Sequence, residues 1–420
     1  MKNAKFILTL VLAAVMAGLF LESCKKDNGP DPLSLVSLKT DGGVDLMGAT
    51  SATGVPLNAQ IVATFSKAVD ATSATGSVAL QIGTTAVSAT VTVSGTTVTI
   101  KPAADMPTGT DHTIVLGSTL KATDGGPFTA GGNFTFKSFG RAVVTAPQTA
   151  SQLSYFPFTG NLKDAVGTHS PTANDNVKDV TFDTDRFGFA GMAASFNGTT
   201  SIAEIPAGSD YLVGPDFSVS FWVKANSTKE GHFVFGLAAW YGFQFEILGG
   251  PWTATDKGVK LATRYALTGG TDAEDTWWNG NPNGWQGSTF AKDISASGGI
   301  PSVFKDKWAH VVVTYNASLK VGAMYVNGEK VRSWDFNLWP AADAKKTATG
   351  VKFAGNSTGG GNKLALGFIQ ASGNRIVLDT WADPADPANN HFKGLLDDLR
   401  FWKTALTAAE VTTLYTAEKP

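Results

Sequence analysis

A single cysteine, Cys24, occurs in 420 residues. That excludes a disulfide framework and any thiolate-based metal cluster. The five histidines (His112, His169, His232, His310, His391) form no HxH or HExxH pair, so the zinc-hydrolase motif is absent too. Charge of either sign is sparse at 16%. Lys+Arg is 33 against Asp+Glu 35, a formal net charge of −2. A nucleic-acid partner wants a basic stripe, and none is present. Apolar runs long enough to matter for a membrane are missing beyond the first two dozen residues. Helix patterning is also scarce. What is abundant is glycine, at 46, with long alternations of Thr, Val, Ala and Ser, and 43% of residues are hydrophobic. This composition builds a core readily and points to an all-β protein with many turns. At ~150 residues per domain, two or three domains are expected.

The chain starts with Lys2 and Lys5, followed by an apolar run from Phe6 to Leu21 broken only by Thr9 and Gly18. The run is 16 residues long, shorter than the ~20 that a spanning helix needs. A basic start and a short apolar stretch read as an export signal. Leu21-Glu22-Ser23-Cys24 closes the run and resembles the lipobox of a bacterial lipoprotein. The resemblance implies a signal peptide over 1–23 and acyl chains on Cys24, where two or more chains would anchor stably. Residues 24–33, polar and broken by Pro and Gly, are expected to be a tether.

From 34 to 140 short strands alternate with turns. Ile61, Ala63 and Phe65 alternate with polar residues. Val87, Ala89, Val91 and Val93 do the same, and Ser94-Gly95 turns them back through Val98 and Ile100. Phe134 and Phe136 mark a last strand. GVPLNAQIVATFSKAVD, TVTIKPAADMPTGTDHTIVL and ATDGGPFTAGGNFTF resemble the bacterial Ig-like module, which implies a β-sandwich spacer without catalytic residues. Residues 141–151 (RAVVTAPQTAS) read as a linker.

A larger β pattern spans 152–420. Phe217, Val219, Phe221 and Val223 alternate with Ser218, Ser220 and Trp222. Trp308 opens WAHVVVTY, and Asn327-Gly328 predicts a type I′ hairpin returning through Val331. Thr407-Ala408-Ala409-Glu410 is a capping box, with Leu406 and Val411 as its staple. YFPFTGNLKDAVG, GMAASFNGTTSIAEIP, FSVSFWVKA, WAHVVVTYNASLKVGAMYVNGEKV and FKGLLDDLRFWKTALTAAEV follow in order. Together they resemble the laminin-G-like, concanavalin A-like jelly roll. The resemblance implies two packed antiparallel sheets, one structural Ca²⁺, and glycan or protein binding. The expected fold is therefore an Ig-like β-sandwich followed by a concanavalin A-like jelly-roll β-sandwich. A fold of this kind hosts lectins, adhesion modules and enzymes alike.

Retaining glycan cleavage needs two carboxyls about 5–5.5 Å apart. No Glu-x-Asp-x-x-Glu pattern occurs, and in GFQFEILGG Glu246 stands alone between Gln244 and Leu248. A GxSxG elbow is absent as well. No catalytic residue is assigned and the chain is not expected to be an enzyme. Tryptophans are the stronger signal, with 11, all after residue 220. Trp222, Trp308 and Trp402 belong to framework strands. Trp240, Trp252, Trp277, Trp278, Trp285, Trp334, Trp339 and Trp381 fall in or beside irregular segments. The densest is DTWWNGNPNGWQGSTF (275–290), read as a loop. Exposed indoles mark binding, because a Trp face stacks on the C–H face of a sugar. Neighbouring amides would hold the hydroxyls. The expected carbohydrate-binding residues are Trp277, Trp278, Trp285, Trp252, Tyr241, Asn279, Asn281 and Gln286, with Asn283 and Asp275 beside them. The alternative is that these rings plug the loop onto the sheet. For calcium, the resemblance matches Asp164, Asn197, Gly198, Asp397 and Asp398. The acidic segment 379–387 is a second loop that would line the same face.

The layout resembles surface glycan-binding lipoproteins that work beside outer-membrane glycan importers. The expected role is non-catalytic capture of polysaccharide at the outer-membrane surface. A protein-binding adhesion or scaffold module, or a cleaving enzyme with dispersed acids, would share the same fold.

Overall fold

The computed structural model describes residues 29–248, 258–280, 287–355, 361–373 and 375–420. Cys24 and the apolar run before it lie outside the described residues. The chain divides after Ala142 into two units, both built from β-sheet.

In the first unit one sheet has the order Leu35–Thr40, Ile61–Phe65, Thr97–Pro102, Ala89–Ser94. The other has Ala52–Val55, Gly132–Ser138, Asp111–Leu116, Val78–Ile82, Thr85–Val87. Period-two alternation sends Ile61, Ala63, Phe65, Val98 and Ile100 inward from one sheet, to meet Val78, Leu80, Ile114 and Phe136 from the other. The hairpin expected after Val93 pairs Ser94 with Thr97. Gly95 supplies the positive φ of 57° at its tip.

The second unit is a larger antiparallel sandwich. Its first sheet runs Thr181–Asp183, Ala193–Asn197, Lys393–Trp402, Phe217–Ala225, Ala309–Asn316, Val321–Val326, Glu329–Asp335, Ser288–Ala291, and Gln152–Phe156 also pairs with Lys393–Trp402. Its second runs Val177–Lys178, Ile202–Ile205, Leu364–Leu366, His232–Leu237, Phe243–Ile247, Val259–Leu267, Asp272–Trp278, and Ala348–Val351 adds to Val259–Leu267. Val219, Phe221 and Val223 from the first sheet meet Phe235, Phe243, Phe245 and Leu261 from the second in one core. The Asn327-Gly328 turn has φ values of 51° and 76°, as a type I′ hairpin requires. A Cβ on Gly328 would overlap the Tyr415 ring, so glycine is needed there twice over.

The outer face of the first sheet is covered by the C-terminal helix Ala408–Glu418. Its Val411 and Leu414 pack with Leu406, Trp402, Val312 and Tyr325. The capping box is formed: Thr407 Oγ1 accepts from Glu410 N at 3.3 Å, and Glu410 Oε2 accepts from Thr407 N at 2.8 Å. Trp222 and Trp402 are buried under this helix rather than between the sheets. Trp308 is half-buried, one residue before its strand. Residues 143–151, expected as a linker, belong to the second unit. Ala146 is buried there, and the Pro147 carbonyl accepts from Trp402 Nε1 at 3.0 Å.

Candidate functional site

Among the described residues no long helix covers the outward face of the second sheet, and its side chains carry mixed chemistry. Phe243, Phe245 and Ile247 point into the core, so alternation turns Gln244 and Glu246 to the other side. Across the strands, Glu246 is flanked by Phe233 and Lys260, and Gln244 by Gly236 and Ala262. Gln244 Nε2 donates to Glu246 Oε1 at 2.8 Å. Lys260 Nζ stands 4.0 Å from Glu246 Oε1 and 2.7 Å from Glu274 Oε1. Burial raises the Glu246 carboxyl above its ordinary range, while Lys260 and the Gln244 amide pull the other way. The Gln244 Oε1 is buried, and among the described residues no donor meets it. Such an acceptor costs about 1–3 kcal/mol. Two residues from Glu274 on the same strand, Asp272 takes Arg264 Nε at 2.6 Å and Lys352 Nζ at 3.3 Å.

An aromatic wall rises beside these pairs. The turn joining His232–Leu237 to Phe243–Ile247 holds Ala238 and Ala239 at φ values of 55° and 50°. Each left-handed alanine costs about 1–2 kcal/mol, so the surroundings must enforce the shape. They do so through Ala239 N to Ile369 O at 2.8 Å, Ala354 N to Tyr241 O at 2.7 Å and Arg264 N to Gly242 O at 3.0 Å. The segment that carries Ile369 lies so close to the sheet that a Cβ on Gly236 would overlap the Ile369 carbonyl. Trp240 and Tyr241 ride on this turn. The Trp240 ring lies 5.8 Å from Trp381 with 13° between planes, and 5.8 Å from Tyr241 with 26°. Trp381 comes from the short turn Thr380–Ala382, meets Phe233 edge-on at 6.0 Å, and donates through Nε1 to Asp379 Oδ2 at 3.2 Å. The Arg264 guanidinium lies 5.2 Å from the Tyr241 ring centre. Phe233, Ala365, Phe368, Ile369 and Val377 form the apolar bed, and all three aromatics keep part of their surface open.

The residues expected to bind sugar fare unevenly. Trp278 is a correction. It is 1% exposed, lies in the inter-sheet core and donates to the Lys292 carbonyl at 3.4 Å. The reason is register: Trp278 pairs with Val259, an inward-facing residue. Residues 275–278 are also not loop but the end of the strand Asp272–Trp278. Tyr241 stands in the aromatic wall, and Asn279 is half-buried just past that strand. Trp285, Trp252, Asn281, Asn283 and Gln286, and the side chains of Asp275 and Trp277, lie outside the described residues. Trp240 and Trp381 were visible only as tryptophans in irregular segments, and nothing in their spacing pairs them. The segment 379–387 contributes Trp381 to the aromatic wall.

The five residues matched to calcium do not assemble into an oxygen cage, and they do not fit the ion. Asp397 and Asp398 are both fully buried and receive Arg186: Nη1 to Asp397 Oδ2 and Nη2 to Asp398 Oδ2, each 2.5 Å. Tyr155 adds its hydroxyl to Asp398 Oδ1 at 2.6 Å. Asp164 instead accepts four backbone N–H groups, from Tyr155, Val166, Gly167 and His169, and pairs with the His169 ring. Asn197 Oδ1 closes its own turn through the N–H groups of Thr199, Thr200 and Ser201. The Gly198 carbonyl accepts from Lys229 Nζ at 2.5 Å, and Asn389 O from the same ammonium at 3.1 Å. Burial, with Lys393 nearby, brings the Lys229 amine down to about 8. The Lys229 ammonium thus meets one of the oxygens matched to the metal, the Gly198 carbonyl. Among the described residues no three His, Cys, Asp or Glu side chains are grouped to hold a metal ion.

A serine, a histidine and two aspartates also meet: Ser154 Oγ and Asp164 Oδ2 contact His169 Nδ1 at 2.9 and 3.3 Å, and Asp210 Oδ2 stands 3.4 Å from His169 Nε2. Ser154 is fully buried, and its hydroxyl donates to Tyr211 Oη at 3.3 Å, so this cluster packs the interior.

These features define an Ig-like β-sandwich followed by a larger antiparallel two-sheet β-sandwich. The family model of the bacterial Ig-like domain matches residues 45–138. No curated protein matches the chain. Among solved structures it is similar to domain 4 of AbnA, a GH43 extracellular arabinanase from Geobacillus stearothermophilus, in complex with arabinotriose. There the identity is 22%, over 63% of this chain and 98% of that one, with a TM-score of 0.37. It is also similar to the botulinum neurotoxin serotype D ligand binding domain in complex with N-acetylneuraminic acid (12% identity, 64% and 52% covered, TM-score 0.38). A third is the botulinum neurotoxin type G receptor binding domain (14%, 64% and 51%, TM-score 0.36). The chain spans about half the length of these two neurotoxin domains.

Proposed function

We propose that this chain is a lipid-anchored envelope protein that binds polysaccharide without cleaving it, using the outward face of the second sheet of its second unit. The observation that carries the reading is the Trp240–Trp381 pair. Two nearly parallel indoles are partly open to water, and the turn that carries Trp240 is strained into shape before any ligand arrives. Rigid aromatics lose little entropy on binding and offer a flat apolar surface to the C–H face of a sugar. The carboxylate, ammonium and amide groups beside them supply hydrogen bonds to hydroxyls, and the unmet Gln244 acceptor invites a donor. Binding without cleavage is favoured because Lys260 stands between Glu246 and Glu274 and engages both as an ion-pair partner. The anchor rests on the Phe6–Leu21 run and Cys24, and an outer-membrane surface location follows the same resemblance. Capture at a surface raises effective concentration, so weak intrinsic affinity suffices beside outer-membrane glycan importers.

The test is calorimetric titration of the full chain in detergent micelles against neutral, acidic and host-type glycans. Saturable binding that Trp240→Leu with Trp381→Leu weakens at least tenfold, with circular dichroism unchanged, is the expected result. Silence across the panel, or full binding by the folded double variant, overturns the reading.

A further inference from the structure

The charges on this face are arranged in a way that selects among glycans. Among the described residues, the three cations nearest Glu246 and Gln244 are Lys260, Arg264 and Lys352, and each is already matched. Lys260 meets Glu274 at 2.7 Å and Glu246 at 4.0 Å, Arg264 meets Asp272 at 2.6 Å, and Lys352 meets Asp272 at 3.3 Å. Beside Trp381, Arg375 is likewise matched, by Asp383 at 2.7 Å, and Asp379 adds a further carboxylate. A polyanionic sugar chain needs unmatched Arg or Lys, because its carboxylates or sulfates lose hydration on binding and require charge-assisted partners. Here it would have to displace a carboxylate from each of these cations.

From these pairs, and resting on the proposed glycan-binding role, we infer that the ligand is a neutral polysaccharide, and that Glu274–Lys260 and Asp272–Arg264 are the groups that read its hydroxyls. A hydroxyl is donor and acceptor at once. One hydroxyl of a vicinal pair donates to the carboxylate while its neighbour accepts from the cation, and neither ion pair has to separate. Glu274 and Asp272 are two residues apart on one strand, so the two pairs repeat about every 7 Å along it. The repeat runs beside the aromatic wall, because Arg264 lies at once over Tyr241 and against Asp272.

The experiment is titration of the full chain against neutral arabinan, xylan and glucan and against polygalacturonate and a sialylated glycan, at 50 and 500 mM NaCl. The expected result is binding to at least one neutral polymer with less than a twofold change in Kd between the salts, and at least tenfold weaker binding to both acidic glycans. The paired variant Asp272→Asn with Glu274→Gln should lose neutral affinity at least fivefold and gain affinity for polygalacturonate as its cations are freed. Tighter binding of an acidic glycan by the native chain, sensitive to Trp240→Leu, overturns this inference and leaves the glycan-binding role standing. Neutral binding that survives the Asp272, Glu274 variant unchanged overturns the assignment of the two pairs. Silence toward every glycan removes the role and the inference together.

Discussion

Trp240 and Trp381, far apart in sequence, lie with ring centroids 5.8 Å apart and planes within 13° of parallel on the outward face of the second sheet. Trp240 is pinned by the strained Ala238-Ala239 turn, and Trp381 by its contact with Phe233 and its bond to Asp379. Replacing Trp240 by Ala should therefore reduce glycan affinity at least tenfold, about 1.4 kcal/mol. Thermal unfolding should shift far less, because the ring is only half-buried. Calorimetry and a melting curve on the same sample separate the two effects.

Trp278 should behave in the opposite way. Truncating a buried Trp to Ala costs about 3–5 kcal/mol through lost burial and an unfilled cavity. Trp278→Ala is expected to lower the melting temperature steeply. The milder Trp278→Phe should fold and bind glycan with the native Kd. A binding defect in a folded Trp278→Phe protein would return this residue to the binding surface.

The Arg186 guanidinium is the countercharge for Asp397 and Asp398, all three side chains being fully buried. Removing one partner of such a pair leaves buried charge uncompensated and costs about 3–5 kcal/mol. Arg186→Ala should thus lower the melting temperature by roughly 10 °C for a unit of this size. Neither added Ca²⁺ nor EDTA should move the native melting curve. A calcium-dependent rise would show that an ion contributes after all.

Burial holds three histidines of the second unit neutral. His232 and His391 are lowered to about 4, and His310, with Arg186 and Arg400 adding to its burial, to about 3, from an ordinary 6.5. Between these values the unfolded chain binds more protons than the folded one. Stability is therefore complete above about 6.5 and falls as the pH drops toward about 4, by up to about 1.4 kcal/mol per pH unit for each group. His169 acts with the opposite sign. Asp164 raises it, so its contribution is present below 6.5 and is lost as the pH rises through its folded value. Denaturant titrations at pH 7, 5.5 and 4.5 should show midpoints declining toward acid, and His391→Phe should flatten the decline.

Much of the fold was legible because β-structure repeats every two residues. Ile61, Ala63 and Phe65, then Val219, Phe221 and Val223, announced their inward faces. Asn327-Gly328 and Thr407 to Glu410 announced a turn and a cap through purely local chemistry. The site was less legible. Trp277 and Trp278 look alike in sequence, yet register against Val259 sends Trp278 into the core. A one-residue step reverses the face of a strand, and which face is buried depends on the partner sheet. The DD pair likewise read as a cation site, but the cation is Arg186, brought from 211 residues away.

By itself the sequence determined that this protein is all-β, that its two modules differ, where several turns fall and that its tryptophans all lie after residue 220. Those properties arise from neighbours within a few residues. Only the tertiary structure decided which tryptophans meet, which carboxylates are matched and by what. Those outcomes depend on strand order and on long-range closure, and a ring 141 residues distant leaves no trace in local pattern.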